Sequence, residues 1–233
     1  MSRPRLTVTI DGPAGVGKST VGRIVARSLG LAFLDTGLLY RVLALVAAEA
    51  GVGPEGAAGL VPELRLTINL DPNAPEGAWR ARLGARELGA ELWAPGNSSL
   101  LAKVAAEPAV RAALLPVQRQ LGEGGVVAVG RDTGSTVFPT ADLKVYLDAP
   151  FEVRMERRRS ELARLGLASA AGAVRDDLEE RDRRDRTREA APLAVPAGAL
   201  VIDTTPIGAA EVAQLILAHC PQAGPSTSSH RHS

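Results

Sequence analysis

The sequence predicts an α/β fold: a parallel sheet core flanked by helices, with a small antiparallel β insert and two charged helices late in the chain. Three observations carry this reading. Short apolar runs alternate with segments of helical period from the N-terminus onward, the pattern of a parallel sheet with crossover helices. Two segments of alternating polarity interrupt that pattern before residue 93. Two charged helical stretches then follow late in the chain.

Taken in order, Leu6 to Ile10 is a β-branched run that ends at Asp11-Gly12 and predicts a buried strand. After a Gly-rich turn, Val21, Ile24, Val25 and Leu29 recur at helical spacing and predict a helix over 19–29. Ala32 to Leu34 is a second short strand, and Thr36 opens an apolar helix reaching about Ala50. Leu66 to Leu70 and Trp79 to Leu83 alternate on either side of a turn-forming stretch from Asp71 to Pro75, which predicts an insert over roughly 65–93. Helical pattern resumes from Ser98 to Leu121, where Pro116 predicts a kink or a break. Val126–Val129 and Leu143–Leu147 are further buried strands, each followed by a loop. Phe151 to Leu165 and Val174 to Thr187 are charged helices; Leu200 to Ile202 is a last strand, and Ile207 to Ala218 a closing helix. Past Pro221 the composition of Pro, Gly, Ser, Thr and His predicts a disordered tail, including His230-Arg-His232.

Composition narrows the function. Of 233 residues, 45% are hydrophobic, enough for a sizeable core, and 23% are charged. A net charge of +1 gives no general case for nucleic-acid binding. The single Cys220 excludes an intramolecular disulfide and fits a reducing compartment. Met1 to Leu6 lacks an apolar signal-peptide region, and Val42 to Ala48 is too short to span a bilayer. The expectation is a cytoplasmic, monomeric protein without nucleic-acid or membrane partners. Only three of the 27 basic residues are lysines, so the chain relies on arginine, whose guanidinium matches phosphate oxygens two at a time.

Gly12, Pro13, Ala14, Gly15, Val16, Gly17, Lys18 and Ser19 match G-x-x-x-x-G-K-[ST], with Thr20 following. Glycines at that spacing let the backbone wrap with its N–H groups inward, and the helix that follows adds partial positive charge. Lys18 is placed for the β- and γ-phosphates of a nucleotide, and the Ser19 hydroxyl for Mg²⁺. Switch GTPases, ATPase motors and small kinases share such a loop. No Asn-Lys-x-Asp run specifies guanine, and the chain is short for a motor. A small-molecule kinase fits better, with a nucleotide-dependent switch as the alternative.

A kinase needs a second anion pocket, and three clusters offer one: Asp35 to Arg41, Gly130 to Gly134, and Glu180 to Arg188. The first two sit at strand ends, where ligands bind in open α/β sheets. On these residues the sequence resembles the bacterial cytidylate kinases. Asp11 to Thr20 matches their D-G-P-x-G-x-G-K-[SG]-T, and Asp35 to Arg41 their D-[ST]-G-x-x-Y-R. Val104 to Arg111 matches V-A-A-x-P-x-V-R, Gly130 to Pro139 matches G-R-D-x-G-[ST]-x-V-F-P, and Glu180 to Arg188 matches E-R-D-x-R-D-x-x-R. The matches run in order over nearly the whole chain.

The resemblance implies a P-loop nucleoside monophosphate kinase fold and transfer of the γ-phosphoryl group of ATP to CMP, and to dCMP, with Mg²⁺. It implies one kinase domain over 1–220, with a core (about 1–35, 123–150 and 170–220), an acceptor-binding part (about 36–122) and a lid (about 151–169). It places Arg41, Arg131 and Arg188 on the acceptor phosphate, and Arg181 with Asp185 near the ribose. Thr36 and Tyr40 would line the pocket, while Arg111 and Asp132 read the base. Lys18, Arg131, Arg188 and Arg158 would stabilise the moving phosphoryl group; Arg154, Arg157 and Arg158 recur at i, i+3 and i+4 on one helix face. The chain departs from the family where a Ser usually precedes the Lys of S-K-V-A-A. Ala102 stands there, which is expected to weaken cytosine binding by about 0.5–1.5 kcal/mol, with Ser98 or Ser99 as candidate substitutes. The remaining alternative is a small kinase acting on UMP or on a non-nucleotide metabolite.

Overall fold

The computed structural model describes residues 6–64, 66–70, 79–93, 98–164 and 171–221. Five strands build the main sheet: β1 (Thr7–Asp11), β2 (Ala32–Asp35), β6 (Val126–Gly130), β7 (Leu143–Asp148) and β8 (Leu200–Asp203). Their order is β2-β6-β1-β7-β8, and every pairing is parallel. Register brings the strand ends level: Asp11 pairs with Gly130 and Tyr146, and Asp35 with Val129. One edge of the sheet therefore carries Asp11, Asp35 and the start of the Gly130 loop together.

Both faces of the sheet are covered, which explains the unbroken apolar strands. Val127 and Val129 of β6 face a cluster with Val21 and Val25 of α1 (Lys18–Leu29) and Val212 and Ile216 of α7 (Ala209–His219). Val126 and Ala128, one residue out of phase, face Leu39 and Leu43 of α2 (Thr36–Glu49) and Val110 and Leu114 of α4 (Pro108–Leu121). The period of two along β6 thus sends alternate side chains into two separate cores.

The insert is a three-stranded antiparallel sheet of β3 (Leu66–Leu70), β4 (Trp79–Leu83) and β5 (Arg86–Leu88). Ala81 and Leu88 pack on Leu38, Val42 and Leu45 of α2, so the insert rides on that helix. Its third strand, only three residues long, is too short to leave a periodic signal. The turn expected over 71–75 lies outside the described residues.

The helical stretch after the insert breaks at Glu107, not at Pro116. It forms α3 (Ser98–Ala106) and α4, with Pro108 in the first turn, where a missing N–H costs no bond. Pro116 lies inside α4; both it and Ala112, whose carbonyl loses its partner, are exposed, so the break in the bond ladder falls on the solvent side of the helix. The two charged helices are α5 (Phe151–Arg164) and α6 (Ala171–Thr187). Among the described residues no helix is long and apolar enough to cross a membrane. The tail expected to be disordered, with its two histidines, lies outside the described residues from 222 onward.

Candidate functional site

One cleft of about 880 Å³ runs along the carboxyl edge of the sheet, bounded by the Gly-rich loop, α2, the loop after β6, and helices α5 and α6. Ala14 through Thr20 line it on one side. Gly15 and Gly17 have φ of 76° and 97°, left-handed values that let the backbone curl before α1, with Gly17 as its N-cap. Gly12 and Pro13 stand behind this wall and do not line it. An added Cβ on Gly12 would run into the Leu147 carbonyl, so that glycine serves close packing against β7.

Lys18 is buried and its Nζ donates to the Pro13 carbonyl at 2.7 Å. Burial, with the charge of Arg131 second, pushes its ammonium well below the usual lysine range. The Ser19 hydroxyl donates to Oδ2 of Asp35 at 2.9 Å, joining the loop to the end of β2. Asp35 opens a sequence cluster, yet its partnership with Ser19 is invisible until β2 and α1 are brought side by side.

Elsewhere in the cleft lining, cations crowd around two carboxylates. Arg131 Nε donates to Asp185 Oδ2 at 2.6 Å. Burial opposes the Arg131 charge, but Asp185 outweighs it and raises the guanidinium above its ordinary value. Asp185 is likewise pushed up by burial and pulled further down by Arg131, Arg188 and Arg181, ending below the usual carboxylate value. Asp132 is gripped at both oxygens, by Arg111 Nη2 at 2.5 Å and Arg188 Nη2 at 3.1 Å. Tyr40 lies beneath Arg111, whose guanidinium carbon sits 5.4 Å from the ring centre. Burial lowers Arg188, with Arg111 adding to the effect. Burial and then Arg181 lower Arg41 to about 10, and Arg41 donates to the Leu92 carbonyl at 3.2 Å. Burial and then Arg131 lower Arg181. Burial thus leaves Arg41, Arg181 and Arg188 each less readily charged beside another guanidinium. Thr36 lines the same cleft while its hydroxyl donates to the Val129 carbonyl at 3.0 Å.

Asp11 joins the two sides. It is fully buried; its Oδ1 accepts from the backbone N and hydroxyl of Thr133, and its Oδ2 from the Gly134 N, all at 2.7–2.8 Å. Burial still raises its carboxyl pKa, and the nearby Asp132 adds to that. The last residue of β1 thereby fixes the loop that carries Arg131 and Asp132.

The three arginines expected on one face of α5 have different environments. Arg158 lines the cleft, as does Arg157, which also donates to the Thr204 hydroxyl and carbonyl at 2.8 and 2.6 Å. Arg154 is buried and does not line this cleft; its guanidinium bonds to Ala14, Ala149 and Asp182. Helical spacing gives direction around an axis, not which neighbour stands there.

A family model described as cytidylate kinase matches residues 8–222. The chain belongs to the cytidylate kinase family. It is 44% identical to a cytidylate kinase of Methylococcus capsulatus over 214 residues, spanning 90% of this chain and 94% of that one. It is 40% identical to a cytidylate kinase of Symbiobacterium thermophilum over 216 residues, spanning 92% and 96%. Among solved structures it is similar to a shikimate kinase from Acinetobacter baumannii in complex with shikimate, with a TM-score of 0.43 and 19% identity over 91% of this chain and 90% of that one.

Against the cytidylate kinase pattern, Ala102 lines the cleft where the family's Ser usually stands. Ser99 is exposed and does not line the cleft, and the Ser98 side chain lies outside the described residues. Among the described side chains, that turn therefore places no hydroxyl in the cleft. Residues 94–97, and residues 165–170 at the end of the expected lid, also lie outside the described residues.

Proposed function

We propose that this chain transfers the γ-phosphoryl group of ATP to CMP, and to dCMP, giving ADP and the corresponding diphosphate. The observation that carries the reading is one cleft whose lining holds both the phosphate loop with Lys18 and Arg41, Arg131, Arg181 and Arg188. Two anionic substrates need cationic groups for each within one cleft if a group is to pass between them in line.

In this reading the loop N–H groups and Lys18 hold the β- and γ-phosphates of ATP. Arg41, Arg131 and Arg188 hold the acceptor phosphate, and Arg181 with Asp185 the ribose. Asp132 accepts from the cytosine amino group, while Arg111 donates to the ring acceptors. The attacking atom is a phosphate oxygen, already anionic near neutral pH, so no general base is needed. Charge on the moving group is stabilised by Lys18, Arg131, Arg188 and Arg158. The Ser19 hydroxyl and Asp35 carboxylate are hard oxygen donors beside Lys18, the kind of set that suits a Mg²⁺ ion already carrying phosphate oxygens. When bound, that ion would neutralise charge between the β- and γ-phosphates. The core, acceptor-binding part and lid (about 151–169) would close on one another to exclude water.

The test is a panel of acceptors with ATP and Mg²⁺, read by ADP release. CMP and dCMP should be turned over with the highest kcat/KM. ADP release that needs no acceptor, or is faster with UMP or a non-nucleotide, would overturn the assignment.

A further inference from the structure

Arg154 sits in the first turn of α5 and is only 3% exposed. Its guanidinium spans three separate pieces of the molecule. Nε donates to the Ala149 carbonyl at 3.0 Å, Nη1 to the Ala14 carbonyl at 2.9 Å, and Nη2 pairs with Asp182 Oδ2 at 2.7 Å. Ala14 belongs to the phosphate loop, Ala149 to the turn after β7, and Asp182 to α6. The approach to the loop is close as well: a Cβ on Gly15 would stand 3.0 Å from the Arg154 carbonyl oxygen.

Position along α6 gives this bond its consequence. Asp182 is buried and does not line the cleft, whereas Leu178, buried one turn before it, does. Arg181, Asp185 and Arg188, spaced by four and three, line the nucleotide cleft. The roll of α6 about its axis decides whether those three reach the cleft, and Asp182 is the charged residue on its buried side.

Stability alone does not account for the pair. Asp182 Oδ1 is buried with no hydrogen-bond partner among the described residues. A buried ion pair with an unsatisfied oxygen is often no better for stability than two apolar side chains of similar volume. What it supplies, and apolar packing does not, is a directional three-point link.

We propose that Arg154 and Asp182 are positioning residues, a pair that holds α6 in register with the phosphate loop and so aligns the acceptor-side groups with the donor phosphates. The proposal rests on the kinase reading above and deepens it. Neither residue touches substrate in this account; both act through Ala14 and through Arg181, Asp185 and Arg188.

The experiment compares wild type with Arg154→Lys and with the double variant Arg154→Met/Asp182→Leu. Melting temperature, CMP-binding sites by calorimetry, kcat per binding site, and KM for ATP and CMP are measured for each. In the double variant the apolar pair should hold the melting temperature to within about 4 °C of wild type. Its kcat per CMP-binding site should still fall by about tenfold or more, because the acceptor groups lose alignment with the loop. Arg154→Lys keeps the charge opposite Asp182 but cannot span three acceptors, and its kcat per site should also fall, by less. If the double variant does not fold, the lysine variant decides alone. A kcat per site and both KM values within about twofold of wild type, in a folded variant, would overturn the proposal. So would a fall in activity that only tracks the fraction folded. Wild type showing no CMP-dependent ADP release would instead overturn the kinase reading beneath it.

Discussion

Replacing Asp132 with Asn isolates the base-reading step, because the change keeps shape and removes one charge. In the structure Asp132 is 7% exposed, and its two oxygens are held by Arg111 and Arg188. A carboxylate has about four acceptor positions, so two remain for the cytosine amino group while both arginines stay bonded. The asparagine amide keeps one acceptor oxygen and turns its NH₂ toward either an arginine or the base. Toward cytosine that NH₂ clashes with another donor; toward the O4 carbonyl of uracil it makes a hydrogen bond. Losing a charge-assisted hydrogen bond costs about 1.5–3 kcal/mol, which corresponds to roughly 10- to 150-fold in kcat/KM for CMP. UMP should lose less or gain slightly, so the CMP-over-UMP ratio should fall by at least tenfold, or ~1.4 kcal/mol. The assay is initial-rate ADP release with CMP and with UMP at saturating ATP. The KM for ATP should stay within about twofold, since Asp132 lies on the acceptor side. An unchanged CMP-over-UMP ratio in a folded variant would refute the base-reading role.

Lys18→Met should abolish transfer, lowering kcat by at least ~100-fold, while leaving the melting temperature equal to or above wild type. Burial already disfavours the Lys18 charge in the folded protein, so its removal relieves a cost; a marked drop in melting temperature would contradict this. Because burial holds the Lys18 ammonium low and bound phosphates would raise it, ATP binding should take up protons at pH values below the ordinary lysine value of 10.5. Calorimetry in buffers of different ionisation enthalpy checks this; no uptake, or release, would be the contrary result. Asp185 is pulled below its ordinary 3.8 in the folded state, so its contribution to stability is full above that value and is lost as pH falls below it. The melting-temperature gap between wild type and Asp185→Asn should therefore narrow as pH drops below 3.8, and a gap that stays constant would contradict the sign.

The sheet was legible because fully buried parallel strands are short, apolar and β-branched, and because each is followed by a turn signal. Strand order was not, since β2 beside β6 and β1 between β6 and β7 are pairings across long stretches of chain. The break lies at Glu107 and not at Pro116 because a proline on the exposed side of a helix costs less than the rule for helix interiors suggests, whereas Pro108 at a first turn reads as ordinary helix. At the site, the motifs and the resemblance they carry named most of the groups that line the cleft, Gly12 and Pro13 excepted, but not their bonds to one another. Asp132 meets Arg111 and Arg188 across 21 and 56 residues, and Asp11 meets Thr133 across 122. Nor did spacing separate Arg154, buried among backbone carbonyls, from Arg158 on the same helix, because the difference lies in what each meets after folding.

The central claim is that donor and acceptor occupy one cleft with cationic groups for each. A bisubstrate analogue, adenosine and cytidine joined 5′ to 5′ by a chain of five phosphates, addresses it in a single inhibition series. It should compete with ATP and, separately, with CMP, and bind more tightly than either because both sets of groups are engaged at once. Competition with only one substrate, or affinity no greater than that of a single nucleotide, would mean that Lys18 and the Arg41, Arg131 and Arg188 group do not serve one reaction.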